Sequence, residues 1–361
     1  MSPPHHIHDP VYPDRPTVAV LGVGQMGLVC AALLSQQDPG ASSALGRPVN
    51  VVMWGHSADE VGQLAQTRRS PRLPGFELPP EVRVVLKERD AIKDASVIVS
   101  AIPVQFIREV WLKIKPHLRP DAGVISVAKG LEVGTHLRPT QIIADALRDN
   151  PDAKPRPLGC LSGPTIAAEL ARCLPAAMIA ASDDPEFARR IQLLFNTSWL
   201  RVYTNPDVLG VELSGAIKNV IAIAAGVVDG LNAGNNAKSS LLARGLAEIA
   251  RLGGAMGANP ETFFGIAGVG DLATTCFSPE GRNRSCGEAI GRGIAVDEYL
   301  RSTPFVVEGV STVKAVLDLA KKYRVEMPIT QAVHAVLFEN VDPIEAIGKL
   351  MSREPKPERV G

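Results

Sequence analysis

Short apolar runs recur through the first half of the chain: Thr17–Leu21, Val49–Trp54, Val82–Leu86, Ser96–Ile102, Gly123–Ala128, Leu158–Leu161, Ala176–Ala181 and Leu200–Tyr203. Several are apolar at every position rather than every second one, the pattern of strands buried on both faces. Segments of helical character such as Gly27–Gln37 and Val104–Ile114 lie between them. Strand–helix–strand alternation predicts a parallel sheet with helices on both faces. Asp38–Pro48 and Arg68–Pro80 read as surface loops.

The pattern changes at the turn-forming Thr204-Asn205-Pro206-Asp207. Beyond it, Val211–Gly230, Ala237–Gly253, Arg284–Gly291, Val310–Tyr323 and Thr330–Phe338 are expected helices. The fold class is therefore α/β: a parallel-sheet domain over residues 17–205, then an all-helical C-terminal domain over 206–361, with 1–16 a flexible N-terminal tail.

Composition narrows the function. The 361 residues are 45% apolar and 21% charged, as in a soluble protein large enough for two cores. Lys plus Arg and Asp plus Glu both number 38, so the net charge is zero and no nucleic-acid partner is expected. Five scattered cysteines without a C-x-x-C pair point to a reducing compartment and no structural zinc. The longest uninterrupted apolar run, Val220–Val228, is about half of the ~20 residues a membrane span needs. The N-terminus lacks the order of a signal peptide. A cytoplasmic protein without membrane insertion is expected, with His5, His6 and His8 part of the tail rather than metal ligands.

Candidate chemistry begins at the first strand. It runs into Gly22-Val23-Gly24-Gln25-Met26-Gly27 and then a helix. In such a turn the first glycine allows the bend, the second admits a pyrophosphate and the third lets helix pack on strand, with free N–H groups at the helix start. Dinucleotide binding follows. The second strand ends in Met53-Trp54-Gly55-His56-Ser57, with no carboxylate to repel a 2′-phosphate, so NAD and NADP are both expected to serve, within roughly tenfold. Arg68 and Arg69 lie downstream.

Lys129 ends an apolar strand, where ligands of open α/β sheets bind; a lysine beginning a solvated loop would look the same. Lys218, amid Ile217, Val220, Ile221 and Ile223, suits proton transfer, or snorkels from an apolar face. Asp271 could orient a nearby lysine. Gly281-Arg282-Asn283-Arg284 at a helix start reads as a phosphate site or as a surface network. Asn235-Asn236-Ala237-Lys238 reads as an N-cap.

These motifs, with Ala128-Lys129-Gly130-Leu131-Glu132, Ser162-Gly163-Pro164-Thr165, Glu212–Asn219, Asn236–Glu248, Gly268–Leu272 and Val306-Val307-Glu308-Gly309, make the chain resemble the bacterial NAD(P)-dependent glycerol-3-phosphate dehydrogenases over residues 17 to about 350. The resemblance implies a Rossmann domain, a helical domain and an active site between them. There hydride would pass between the nicotinamide of NAD or NADP and C2 of a small-molecule substrate, interconverting sn-glycerol 3-phosphate and dihydroxyacetone phosphate for glycerophospholipid synthesis. It implies that Lys218 transfers the proton, with Lys129 and Asp271 beside it. It implies cofactor contacts at Gly22, Gly24, Gln25, Met26, Gly27, His56, Lys129, Ala167, Arg282, Val306 and Glu308. Substrate contacts would be Lys129, Gly163, Thr165, Lys218, Asp271, Gly281, Arg282 and Asn283. Gln25, Met26, Ala128 and Ile166 depart from the family's usual residues. A homodimer is the expected assembly. The competing readings are a 3-hydroxyacid dehydrogenase or ketopantoate reductase of the same architecture, and a non-catalytic NAD(P)-binding sensor.

Overall fold

The computed structural model describes residues 15–36, 48–149, 155–303, 305–355 and 357. The expected tail up to residue 14, with its histidines, and residues 38–47 of the first expected loop lie outside the described residues. Each apolar run forms a strand: β1 Thr17–Leu21, β2 Asn50–Trp54, β3 Val82–Val84, β4 Ala95–Ser100, β5 Gly123–Ser126, β6 Leu158–Ser162, β7 Ala176–Ser182 and β8 Leu200–Asn205. Around and between them run α1 Gln25–Ser35, α2 Ala58–Thr67, α3 Glu88–Ile92, α4 Val104–Ile114, α5 Pro139–Leu147, α6 Ala167–Ala171 and α7 Pro185–Phe195. The second half is α8 Val208–Gly230, α9 Gly234–Ala255, α10 Pro260–Phe264, α11 Asp271–Phe277, α12 Arg282–Gly291, α13 Val296–Ser302, α14 Glu308–Tyr323, α15 Pro328–Phe338 and α16 Pro343–Met351.

The sheet order is β3-β2-β1-β4-β5-β6-β7-β8. Alternate residues of β1 enter opposite faces: Val18 and Val20 join one buried cluster, Ala19 and Leu21 the other. The sheet departs from the expected all-parallel form at one pair, where β7 runs antiparallel to β6. The only helix between those strands, α6, has five residues. At 1.5 Å per residue it spans roughly 7 Å, too little to carry the chain back along a strand of ~17 Å.

Arg68–Pro80 also differs from expectation. Leu73 and Leu78 are buried in the core. Arg68 ties the segment together, donating to Leu78 O at 3.3 Å and Val82 O at 2.8 Å. The polar composition of the stretch hid this anchoring.

The 23-residue α8 runs through the middle of the helical half. Asp207 caps it, accepting from Gly210 N at 2.8 Å. By length and composition α8 is apolar enough to cross a membrane, and 94% of its most apolar window is buried inside the fold. Counting uninterrupted runs missed this because Glu212, Lys218 and Asp229 break the apolar stretch. α12 lies directly on α8: a Cβ on Gly226 would stand 1.9 Å from Arg284 O, and one on Gly287 1.9 Å from Ile223 O. Glu212 joins the two halves, accepting from Arg138 Nη1 at 2.5 Å, Thr140 N at 2.9 Å and Thr140 Oγ1 at 2.6 Å.

A second buried carboxylate, Glu248 of α9, accepts from Ile329 N at 2.5 Å, Thr330 N at 3.2 Å and Thr330 Oγ1 at 3.1 Å at the start of α15. Burial raises its pKa from 4.5 to about 7, the hydrogen bonds only partly opposing it. Between those values the folded chain holds more protons than the unfolded one. The contribution is therefore present below pH 4.5 and lost as pH rises through about 7. Glu248→Gln removes the ionisation but turns an NH2 donor toward one of those backbone N–H groups, so beside a pH-independent loss of one hydrogen bond its stability relative to the parent is expected to rise by roughly 1–3 kcal/mol between about pH 5 and about pH 8. Urea unfolding at both pH values checks this; a stability gap that does not change with pH would contradict it.

Candidate active site

The glycine turn is built by close contact. Gly22 has φ +116°, its N–H donates to Trp54 O at 2.7 Å, and a Cβ there would lie 2.4 Å from Ala101 O. A Cβ on Gly27 would lie 1.9 Å from Gly22 O, so only glycine lets α1 sit on the turn. Gly24 is different: a Cβ there would meet nothing within 4 Å. Its neighbours Gln25 and Met26 begin α1, whose N-cap has no side-chain hydrogen bond and whose first turn has no acidic residue. Uncapped N–H groups beside open space fit the pyrophosphate of a dinucleotide.

This turn is one wall of a cleft of about 890 Å³ that continues to α8, α11 and α12. β1 pairs with both β2 and β4, so the cleft opens at the point where the strand order reverses. Of the residues singled out in the sequence, Gly22, Gly24, Gln25, Met26, His56, Lys129, Thr165 and Ala167 line its sheet side. Lys218, Asp271, Gly281, Arg282, Asn283, Val306 and Glu308 line its helical side. Gly27 and Gly163 stand behind the wall: Gly27 packs α1 on the turn, and Gly163 O accepts from Lys129 Nζ at 2.9 Å.

Where the two halves meet, Asp271 joins two amines. Its Oδ2 accepts from Lys129 Nζ at 2.7 Å, and its Oδ1 lies 3.2 Å from Lys218 Nζ. Lys218 Nζ also donates to Thr275 Oγ1 at 2.6 Å, and that hydroxyl donates to Asp271 O at 2.7 Å. Asp271 and Lys218 are 2% and 5% exposed. Gly215 of α8 lets the stem of Lys129 approach, since a Cβ there would be 3.3 Å from Lys129 Cγ. Burial, the largest cause, lowers the pKa of Lys129 from 10.5 to about 8; the Lys218 charge adds to this, and Asp271 opposes it. Asp271 follows a π-helical turn over Ile266–Gly270, an irregularity common at functional sites.

At the other end of α11 and the start of α12, Arg282 lies 3.4 Å from Glu308 and remains 40% exposed. Asn283 is buried, and its Oδ1 accepts from Gly309 N at 2.8 Å, leaving the amide N–H groups to donate. Arg284 does not join them, contrary to the phosphate-site reading. Two residues further round α12, it donates to Asp229 Oδ2 at 2.7 Å and pairs with Glu288 at 3.1 Å. Lys238 also pairs with Asp229, at 2.7 Å, and α9 already starts at Gly234 without a side-chain cap, so the N-cap reading of Asn235 and Asn236 fails.

Sequence reasoning missed several wall residues. Thr275 was visible as the i+4 neighbour of Asp271 on one helix. Asn219, the last residue of the Glu212–Asn219 motif, also lines the cleft, as do Phe106, Glu60 and Arg72, which nothing in the local pattern marked.

Comparison with known proteins agrees with this architecture. Residues 17–188 match the family model described as NAD-dependent glycerol-3-phosphate dehydrogenase N-terminus, and residues 207–348 match the corresponding C-terminus. A glycerol-3-phosphate dehydrogenase [NAD(P)+] of Pelotomaculum thermopropionicum is 43% identical over 341 residues, 93% of each chain. One from Streptomyces griseus is 41% identical, covering 94% of this chain and 98% of the relative. The crystal structure of glycerol-3-phosphate dehydrogenase from Coxiella burnetii superposes with a TM-score of 0.86 at 32% identity, covering 94% of this chain and 99% of that one. The chain belongs to the NAD-dependent glycerol-3-phosphate dehydrogenase family.

Proposed function

We infer that this chain is an NAD(P)-dependent oxidoreductase that interconverts sn-glycerol 3-phosphate and dihydroxyacetone phosphate, supplying glycerol 3-phosphate for phospholipid synthesis. The observation that carries the reading is the Lys129–Asp271–Lys218 cluster at the meeting of a dinucleotide cleft and a helical half. Residues 17–205 act as the cofactor unit and 206–361 as the substrate and catalytic unit. The turn Gly22–Gly27 and its uncapped α1 take the pyrophosphate. His56 serves the adenosine end, and Ala167, Val306 and Glu308 complete the cofactor wall.

When bound, NAD(P) supplies or accepts the hydride at the substrate's C2. Lys218 supports the oxygen on C2: in reduction it stabilises the growing negative charge and hands over a proton, and in oxidation its neutral amine takes the proton back. Asp271 and Thr275 hold that amine in place. Lys129, with Gly163 and Thr165, holds the substrate from the sheet side. Gly281, Arg282 and Asn283 grip the phosphate. A substrate panel tests the reading: dihydroxyacetone phosphate is expected to be reduced and ketopantoate not, and the reverse order would overturn it.

Lys129 adds a pH dependence. Its lowered pKa means that it gives up its proton near pH 8 rather than above 10. KM for dihydroxyacetone phosphate is expected to rise above about pH 8 as that charge is lost, and Lys129→Arg should move the rise to higher pH because guanidinium stays charged. A KM profile identical in both proteins would remove Lys129 from substrate binding.

A cytoplasmic setting fits five unpaired cysteines, of which only Cys173 is exposed. A homodimer is the proposed assembly. Exposed Ile344 and Met351 on α16 offer apolar surface for it. Light scattering at the mass of one chain would overturn this.

A further inference from the structure

His56 and Ser57 follow the carboxyl end of β2, and Glu60 stands in the first turn of α2. Ser57 is occupied as the cap of that helix, accepting from Glu60 N at 3.3 Å. Facing Glu60 is Arg72, from the anchored segment after α2. Its Nε and Nη2 donate to the two carboxylate oxygens at 3.2 and 2.5 Å. Both side chains line the cleft and both are 39% exposed. Neighbouring Leu73 is 3% exposed, and Leu78 N donates to Arg68 O at 2.8 Å, so the backbone beneath Arg72 is fixed while its side chain reaches solvent.

In dinucleotide folds a carboxylate near the end of the second strand takes a ribose hydroxyl and repels a 2′-phosphate, whereas an arginine accepts that phosphate. Here both residue types stand together. We propose that the Arg72–Glu60 pair reads the 2′ position of the adenosine ribose, Glu60 accepting from a hydroxyl and Arg72 turning to a phosphate, so that one site serves both NAD and NADP. The inference rests on the NAD(P) reading above. Glu60 alone would exclude NADP. Arg72 cancels that repulsion while the pair is intact and offers a fork of donors to the phosphate when it opens.

Isothermal titration with adenosine 2′,5′-bisphosphate and with adenosine 5′-monophosphate tests the pair without turnover. Arg72→Ala is expected to weaken the bisphosphate by at least about 30-fold and the monophosphate by less than about threefold. Arg72→Lys, which keeps the charge but not the fork, should recover part of the loss. Glu60→Gln removes the competing carboxylate and should tighten the bisphosphate by roughly threefold or more, a gain that misfolding cannot produce. Unchanged bisphosphate affinity in Arg72→Ala, equal losses on both ligands, or no gain in Glu60→Gln would overturn the proposal. If the parent protein binds neither ligand, the dinucleotide reading fails first, and the proposal with it.

Discussion

Lys218→Ala is expected to lower kcat by at least about 10²-fold and as much as 10⁴-fold, the usual worth of a positioned acid–base group. Cofactor affinity should survive, because Lys218 enters the cleft from α8 while the turn Gly22–Gly27 lies on the sheet. The fold should survive as well. Alanine suits a helix interior, and Asp271 keeps its 2.7 Å bond to Lys129. Thr275 also keeps its bond to Asp271 O. Rapid-mixing and steady-state measurements of kcat, beside titration of cofactor fluorescence, separate these effects. Near-normal kcat in a folded Lys218→Ala protein would assign the proton to another group.

The second large effect belongs to Arg282. A phosphate monoester carries close to two charges, and its oxygens accept hydrogen bonds. Arg282 offers a planar fork, and Asn283, whose Oδ1 accepts from Gly309 N, keeps both amide N–H groups to donate. Arg282 is 40% exposed, and among the described residues it pairs with Glu308 alone, at 3.4 Å, so its donors are available in a way that those of Arg284 are not. Gripping the unreactive phosphate positions C2, so the contact should act on kcat as well as KM. Arg282→Ala is expected to cost roughly 2–4 kcal/mol in kcat/KM for dihydroxyacetone phosphate. Dihydroxyacetone, which lacks the phosphate, should be a poor substrate for the parent protein and lose little further activity in the variant. Equal fractional losses on both substrates would place Arg282 on the cofactor or the fold instead.

Much of this site was legible in the chain because close contact leaves few residue choices. Gly22 and Gly27 answer to backbone atoms 2.4 and 1.9 Å from where a Cβ would stand, and that demand is local. The strands were legible for a similar reason, since burial on both faces requires continuous apolar runs. What was hidden is what only the fold brings together. Lys129, Lys218 and Asp271 meet from the loop after β5, from α8 and from α11; the resemblance grouped them, but no spacing announces a carboxylate shared by two amines. Arg284 resembled Arg282 in sequence, yet helical rotation turned it to Asp229. Arg72 sat in a stretch rich in proline and charge, and its place on the cleft depends on Leu73 and Leu78 being buried.

Hydride exchange on a phosphorylated three-carbon substrate is the reaction proposed for the cleft between the sheet and α8. The most direct measurement follows the near-ultraviolet absorbance of reduced nicotinamide when the purified chain meets dihydroxyacetone phosphate, once with NADH and once with NADPH. Absorbance is expected to fall with both cofactors, at rates within roughly tenfold of each other, one missing hydrogen bond's worth. Absorbance is expected to stay level when dihydroxyacetone phosphate is left out. A constant absorbance with both cofactors in the presence of dihydroxyacetone phosphate would contradict the proposed reaction.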